Sequence, residues 1–574
     1  MEPIIEFKNF GFKYRAQSEP TLYDINLAIY PGEKILIAGP SGSGKSTLSN
    51  CINALIPCSY PGDITGEVRI AGLTPSDAGI FGMAKHVGTV LQDTDGQFIG
   101  LTVAEDLAFA LENDNLPQDE LFSKVDEVAG LIDMKNFMTH APGALSGGQK
   151  QRVSMGGVLV DDVSIMLFDE PLANLDPATG KRTIALIDEL MKQKDLTVII
   201  VEHRLEDVLY RDVDRIVVMG EGRIVADMKP DDLLCADVLE KEGIREPLYV
   251  AAIKHSGQTI DPLDKPQHIE TMNVEPYRAG LLKWLETVPG KEVQLSDEPA
   301  LEVRNLTFGY DSSRTVLKDI NFKITKGEMV SIVGKNGAGK STLSALICGF
   351  YKPNEGEILL NGSDISPLSV KERGERIGYV MQSPNQMISK PMIMEEVGLG
   401  LAVRGVPEDE IKERSENVLK ICGLYPFRNW PVSALSFGQK KRLTIASILI
   451  MEPEIIILDE PTAGQDYRHY TEIMEFLKEL HESMGLTIIM ITHDMHLMLE
   501  YTDRAIVLAD GSMLADETPA KVLTNEEISD RAYLKKTSLY DLAIKCGIER
   551  PYEFVEKFIA YERGLRAGGT GTAE

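Results

Sequence analysis

A chain of 574 residues has room for several compact units at the usual ~100–200 residues per domain. Apolar residues make up 43% and charged residues 26%, the balance of a packed globular protein rather than a disordered or membrane-embedded one. The net charge of −29 argues against nucleic acid as a partner, because holding a polyphosphate backbone depends on Lys and Arg displacing counterions.

Taken in chain order, the opening MEPIIEFKNF is acidic and lacks a basic segment followed by an apolar one, so no secretory signal is expected. The segments IIEFKNF and LYDINLAIY alternate apolar and polar residues, which predicts a small antiparallel sheet. KILIAG, SIMLFDE, LTVIIVEH and DRIVVM are continuously apolar instead, as strands buried on both faces are, and predict a mostly parallel sheet covered by helices. None of these blocks approaches the ~18–20 residues that cross a bilayer, and the chain is expected in the cytosol. Between about residues 100 and 160 the texture is helical.

After a linker region the same series returns: LEVRNLTF and VLKDINFKI, buried strands, and a helical stretch between about 392 and 450. Both halves close on a Gly-Ile-charge-charge-Pro sequence, Gly243 to Pro247 and Gly547 to Pro551, so each is expected to end in a helical appendix. The tail RAGGTGTAE is expected to be flexible. The expected division is a first repeat unit over 1–230, an appendix and linker over 231–298, a second repeat unit over 299–525, and a C-terminal appendix and tail over 526–574. Cys51, Cys58, Cys235, Cys348, Cys422 and Cys546 form no CxxC pair, so neither a disulfide framework nor a zinc site is expected, only reduced, buried, small apolar groups.

The repeat is in register. Lys45 and Lys340 lie 295 residues apart, and Gln92 with Gln382, Leu145 with Leu435, Asp169 with Asp459 and His203 with His493 each lie 290 apart. The first pair sits in GPSGSGKSTL (39–48) and GKNGAGKSTL (334–343), both of which fit GxxxxGK[ST] between an apolar strand and a helix-forming sequence. Such a turn lets backbone N–H groups converge on phosphates at a helix N-terminus. The candidate cradle residues are Gly39, Ser41, Gly42, Gly44, Lys45, Ser46 and Thr47, and Gly334, Asn336, Gly337, Gly339, Lys340, Ser341 and Thr342. Lys45 and Lys340 would hold the β and γ phosphates of ATP, and Ser46 and Ser341 would ligate Mg²⁺.

SIMLFDE and EIIILDE end buried strands on two carboxylates, which need a reason to be there. Asp169 and Asp459 are expected to reach Mg²⁺ through water, and Glu170 and Glu460 to act as general base or to orient the attacking water. His203 and His493, at the ends of the next strands, are candidates to meet the γ-phosphate. In LSGGQ (145–149), Ser146 can cap a helix while the amides of Gly147 and Gly148 point outward, which makes a second anion-binding helix end.

With LSGGQ 24 residues before Asp169 and Gln92 between cradle and signature, the chain resembles the ATP-binding cassette family over about 450 of its 574 residues. The resemblance implies an α/β fold of two tandem P-loop NTPase cassettes, each with a mostly parallel sheet, an antiparallel β subdomain and a helical signature subdomain. It implies head-to-tail pairing, so that Lys45, Gln92, Asp169, Glu170 and His203 face Ser436, Gly438 and Gln439. Lys340, Gln382, Asp459, Glu460 and His493 would then face Ser146, Gly148 and Gln149. Gln92 and Gln382 would serve the metal and the attacking water, Tyr14 and Tyr310 would stack on adenine, and Asp176 and Asp466 would lie in the loop that bridges cassettes.

Two features depart from the pattern: Phe437 stands where the first signature has Gly147, and Gln465 where the first copy has Leu175. Both glutamates remain, so two hydrolysing sites of unequal rate are expected.

Coupling to a membrane partner would run through QDTDGQFIGLTVAEDLAFALEN and QSPNQMISKPMIMEEVGLGLAV, and the first of these resembles the corresponding segment of energy-coupling factor transporter ATPases, which serve cobalt and vitamin import. That resemblance implies a transmembrane scaffold partner and, through it, a substrate-binding membrane subunit, with this chain peripheral at the cytoplasmic face. Met381, Met387, Met392 and Met394, with Glu105–Asp106 and Glu395–Glu396, are expected to suit a groove for a scaffold helix carrying an arginine. The rivals are a ribosome-associated translation factor, which would call for a long basic linker, a fused sugar importer, whose second cradle is commonly degenerate, and a DNA-repair cassette, which needs a long coiled coil or zinc-binding cysteines.

Overall fold

The computed structural model describes residues 2–93, 95–173, 175–290, 296–311 and 314–569. They form two compact units, 1–280 and 281–574, apart from 466–468, which group with the first. Residues 231–280 group with the first unit, and 281–290 and 526–569 with the second.

In the first unit β1 (Ile5–Tyr14) pairs antiparallel with β2 (Leu22–Ile29) and β4 (Gly62–Ile70). Phe7, Phe10 and Phe12 are buried against the main sheet, a shift of register between Phe7 and Phe10 returning the strand to the same face. That sheet has the order β5-β6-β7-β3-β8-β9, from Val87–Val90 (β5), Ile165–Asp169 (β6), Thr197–Val201 (β7), Lys34–Ala38 (β3), Arg215–Gly220 (β8) and Arg223–Met228 (β9). The first five run parallel and β9 closes one edge antiparallel. Every residue of β3 and β7 is buried, as their unbroken apolar runs predict.

The second unit repeats this plan. β10 (Pro299–Phe308), β11 (Leu317–Thr325), β13 (Glu355–Leu360) and a two-residue β14 (Ser363–Asp364) make the antiparallel sheet, one strand larger than its counterpart. The main sheet runs β15-β16-β17-β12-β18-β19, from Ile377–Val380, Ile455–Asp459, Thr487–Ile491, Met329–Val333, Arg504–Ala509 and Ser512–Glu517 in that order.

Each helical subdomain holds three longer helices, Val103–Asn113, Gln118–Leu131 and Gly147–Leu159 in one unit and Ile393–Ala402, Glu408–Ile421 and Phe437–Leu449 in the other. Val103, Leu107 and Leu111 recur every four residues and bury one face of the first helix. The repeated Gly-Ile-charge-charge-Pro sequence is a helix stop followed by a helix start. Gly243 and Gly547 take φ of 64° and 66°, Ile244 N and Ile548 N donate back to Leu239 O and Ala543 O, and helices begin at Leu248 and Pro551.

The last helix, Pro551–Gly569, takes in Arg566–Gly569 of the tail expected to be flexible; residues 570–574 lie outside the described residues. Arg566 has a reason to be ordered, since its guanidinium donates to Glu500 Oε2 and to the Tyr501 hydroxyl, both at 2.9 Å. None of the six cysteines is in a disulfide. Cys58 is exposed and Cys235 half-buried, against the expectation that all are buried. Among the described residues, no helix is long and apolar enough to cross a membrane.

Candidate active site

The parallel sheets deliver the candidate residues to one edge, because the cradle follows β3, the Asp–Glu pair ends β6 and the histidine follows β7, all at the carboxyl ends of neighbouring strands. Gly44 precedes the helix Lys45–Ile52 with φ of 99°, and a Cβ there would meet Leu22 Cδ2 at 2.8 Å. Gly339 repeats this before Lys340–Cys348, with φ of 103° and Leu317 Cδ2 at 2.5 Å. Neither helix has a side-chain cap, which leaves its first N–H groups and positive end for an anion.

Lys45 Nζ donates to Gly39 O and Pro40 O at 2.8 and 2.9 Å, and Lys340 Nζ to Gly334 O and Lys335 O at 2.7 and 3.1 Å. Burial holds the Lys45 ammonium below the usual lysine range, partly offset by the Glu170 and Asp169 carboxylates. Ser46 and Ser341 are exposed in the first turn, as are Ser41, Gly42, Asn336 and Gly337 in the cradles. The Tyr14 hydroxyl lies 3.2 Å from Thr47 Oγ1 and that of Tyr310 lies 2.9 Å from Thr342 Oγ1, so each tyrosine leans on its own cradle helix.

Glu170 and Glu460 sit just past their strands in the left-handed region, φ 47° and 44°, a conformation that costs a non-glycine residue about 1 kcal/mol or more. Their surroundings differ. Gln92 Nε2 donates to Glu170 Oε2 at 2.6 Å, and burial, then Glu202 and Asp169, push the Glu170 carboxyl up to about 7. His203 Nδ1 lies 3.9 Å from Glu170 Oε1 but 3.2 Å from Glu202 Oε1, and burial lowers its proton affinity, which favours the neutral ring. In the second unit His493 Nδ1 hydrogen-bonds Glu460 Oε1 directly at 2.6 Å and Thr492 Oγ1 donates to Glu460 Oε2 at 3.3 Å.

Burial raises both Asp169 and Asp459; the Tyr379 hydroxyl donates to Asp459 Oδ2 at 2.9 Å, from a position that is Thr89 in the first unit. The Ser46 or Ser341 hydroxyl, the Gln92 or Gln382 amide oxygen and the aspartate of each unit are hard oxygen donors, the chemistry that suits Mg²⁺. A cation there would offset the buried carboxylate and neutralise phosphate charge.

Both signature serines cap their helices reciprocally. Ser146 Oγ accepts from Gln149 N at 3.4 Å while Gln149 Oε1 accepts from Ser146 N at 2.9 Å, and Ser436 and Gln439 do the same at 3.3 and 2.9 Å. Ser146, Gly147 and Ser436 are exposed, with Gly148 and Gly438 partly so. Replacing either serine with alanine is expected to cost about 1 kcal/mol of stability, read as a lower denaturant midpoint. A Cβ at Gly147 would meet only Leu175 Cδ2, at 3.6 Å, so the chain has room for a side chain there, and Phe437 holds its ring 44% exposed at that position.

The acids expected to line a groove have other work. Asp106 Oδ1 accepts from Ile99 N and Gly100 N at 2.9 and 3.0 Å, and its counterpart Glu396 Oε2 accepts from Ser389 N and Lys390 N at 2.9 and 2.7 Å. Glu105 Oε2 accepts from Leu101 N and Thr102 N. Glu396 is buried. These three carboxylates satisfy loop amides rather than standing free for an arginine; Glu395 is exposed. Of the methionines, Met381 is exposed and Met387, Met392 and Met394 are partly buried. The surface beside the first loop is apolar, with Ile99 63% and Leu101 81% exposed.

The motif reading missed Glu202, Arg204, Gln151 and Lys441. Lys441 is fully buried on the second signature helix, donates to Met381 O at 3.0 Å and Gln382 O at 2.7 Å, and is lowered by burial to about 8. The signal was present as mismatches at the 290-residue offset: Glu202 against Thr492, Arg204 against Asp494, Gln151 against Lys441.

Comparison with known proteins places these features. A family model described as ABC transporter matches residues 22–173 and 317–463, and one described as ATP-binding cassette cobalt transporter matches 236–308. A model described as an AAA domain, putative AbiEii toxin, matches 428–500. A putative ABC transporter ATP-binding protein of Clostridium perfringens is 56% identical over 98% of this chain and 99% of its own length. One of Enterococcus faecalis is 56% identical over 99% of this chain and 100% of its own length. The solved structure of cbiO1 from Clostridium perfringens, described as part of the ABC transporter complex cbiONQ, is 37% identical and covers 41% of this chain and 94% of its own, with a TM-score of 0.38.

Proposed function

The chain belongs to the ABC transporter ATP-binding proteins, whose ATP hydrolysis is coupled to transport, and on that premise we propose that it energises an import system of the energy-coupling factor type for a vitamin or metal ion. Supporting this narrower reading are the match of residues 236–308 to a cobalt transporter family and the first glutamine segment, QDTDGQFIGLTVAEDLAFALEN. The observation that carries the hydrolytic part is the convergence, in each unit, of a buried lysine, an Asp–Glu pair and a histidine at one sheet edge.

In the proposed mechanism Lys45 and Lys340 bind the β and γ phosphates, and the cradle amides together with Ser41, Asn336, Thr47 and Thr342 surround them. Tyr14 and Tyr310 stack on the base. Ser46, Asp169 and Gln92, or Ser341, Asp459 and Gln382, would hold Mg²⁺, which would supply neutralisation of phosphate charge. Glu170 and Glu460 take a proton from the attacking water, and His203 and His493 orient the γ-phosphate. Ser146 with Gly148 and Gln149, and Ser436 with Gly438 and Gln439, complete the opposite cassette's site, so one chain supplies both ATP sandwiches. Disulfide trapping tests that pairing. Cysteines placed at Ser146 and Ser341, or at Ser436 and Ser46, are expected to cross-link when nucleotide is trapped, and absence of either bond under any nucleotide condition refutes it.

The transmembrane scaffold is proposed to dock on the apolar surface that includes Ile99 and Leu101, which places the chain at the cytoplasmic membrane face. I99D/L101D removes two exposed apolar side chains and is expected to cut recovery of the chain with membranes at least tenfold, given ~1.5–3 kcal/mol per apolar side chain buried. ATP turnover by the detached chain should persist. Recovery of the wild-type chain with ribosomes instead of membranes would favour the soluble translation-factor reading.

A further inference from the structure

The residues flanking the histidine differ between the units in a way the shared motifs do not explain. Glu202 is fully buried, and an interior carboxylate is costly unless hydrogen-bonded. Its Oε1 accepts from His203 N at 2.8 Å and Arg204 N at 3.1 Å, and its Oε2 accepts from Leu172 N at 3.2 Å. Arg204 Nη2 returns across the same gap and donates to Leu172 O. Both backbone polar groups of Leu172, two residues past Glu170, are thus tied to the segment that carries His203. Gln151 of the signature helix holds the preceding carbonyl, Pro171 O.

The second unit spends the equivalent residues otherwise. Thr492 Oγ1 donates to Glu460 itself and accepts from Asp494 N at 2.9 Å. Asp494, in the place of Arg204, caps the helix Met495–Tyr501 through His496 N and Leu497 N. Lys441, in the place of Gln151, holds the carbonyls of Met381 and Gln382.

We propose that Glu202 and Arg204 are positioning residues of the first site, clamping the segment after Glu170 to the segment bearing His203, where the second site relies on direct bonds to Glu460. The proposal deepens the hydrolytic reading and rests on it for its effect on turnover. It accounts for the histidine standing 3.9 Å from Glu170 in one unit and 2.6 Å from Glu460 in the other: with its loop held by the clamp, Glu170 keeps Gln92 as its near partner.

Hydrogen exchange at the Leu172 amide, measured without nucleotide, and turnover in an E460Q background, where the first site alone hydrolyses, test the clamp separately. E202T is expected to speed exchange at Leu172 about tenfold and to lower kcat about tenfold with KM nearly unchanged, the size of a lost hydrogen bond to a charged group. E202Q keeps one oxygen acceptor and should fall between E202T and wild type. R204A should lower kcat as well, and because both side chains act through Leu172, the E202T/R204A pair should cost no more than about twofold beyond E202T alone. Unchanged exchange in E202T, a kcat loss that E202Q does not soften, or fully additive losses would each overturn the clamp. If E460Q abolishes hydrolysis entirely, the reading of two independent hydrolytic sites fails, and exchange at Leu172 still decides the clamp by itself.

Discussion

Replacing both Glu170 and Glu460 with glutamine is expected to lower ATP turnover by about 10³-fold, within the ~10²–10⁴ range of a positioned general base. Glutamine keeps the shape and one oxygen but cannot take a proton from water. Because each glutamate already occupies a left-handed backbone position, the near-isosteric change adds little new strain, and nucleotide binding should survive. Each single replacement should remove only its own site's share. The shares should be unequal, because Glu170 is approached by Gln92 and neighbours a second buried carboxylate, whereas Glu460 is approached by His493 and Thr492. Steady-state phosphate release from the three variants decides it, and a single change that leaves turnover untouched rules out two working sites.

Lys45→Met and Lys340→Met are expected to weaken ATP binding at their own sites by about 100-fold, the upper end for charge-assisted bonds to phosphate. Methionine fills the buried aliphatic path of each lysine but leaves the cradle carbonyls without their donor and removes the cation proposed to meet the phosphates. Titration with a fluorescent nucleotide should show two sites in the wild-type chain and one in either variant. Loss of both sites from one replacement would show that the pockets fill only together.

Most of the plan is legible in the residues. A phosphate turn requires left-handed glycines, so Gly44 and Gly339 announce themselves, and continuous apolar runs this short and this rich in Ile and Val read as strands covered on both faces, as β3 and β7 are. The capping serines were likewise readable from Ser-x-x-Gln spacing. What escaped depended on which atom meets which. Asp106 and Glu396 looked like free acids at a helix start, yet each satisfies two amides of the loop before it. Glu202 is one acidic letter beside a histidine, and only the approach of the Leu172 amide turns it into a strut. The division at 280/281 falls inside helix Glu275–Thr287, where Tyr277 bonds Asp264 and Trp284 packs on Phe554 and Tyr561, and no composition shift marks it.

The in-register repeat has a further consequence. Were the halves encoded once and assembled as a homodimer, a mutation at position 202 or 437 would alter both catalytic centres together, and any specialisation of one would damage the other. Covalent fusion fixes the stoichiometry at one of each and lifts that symmetry, so the two proposed centres are free to drift toward separate duties within one polypeptide.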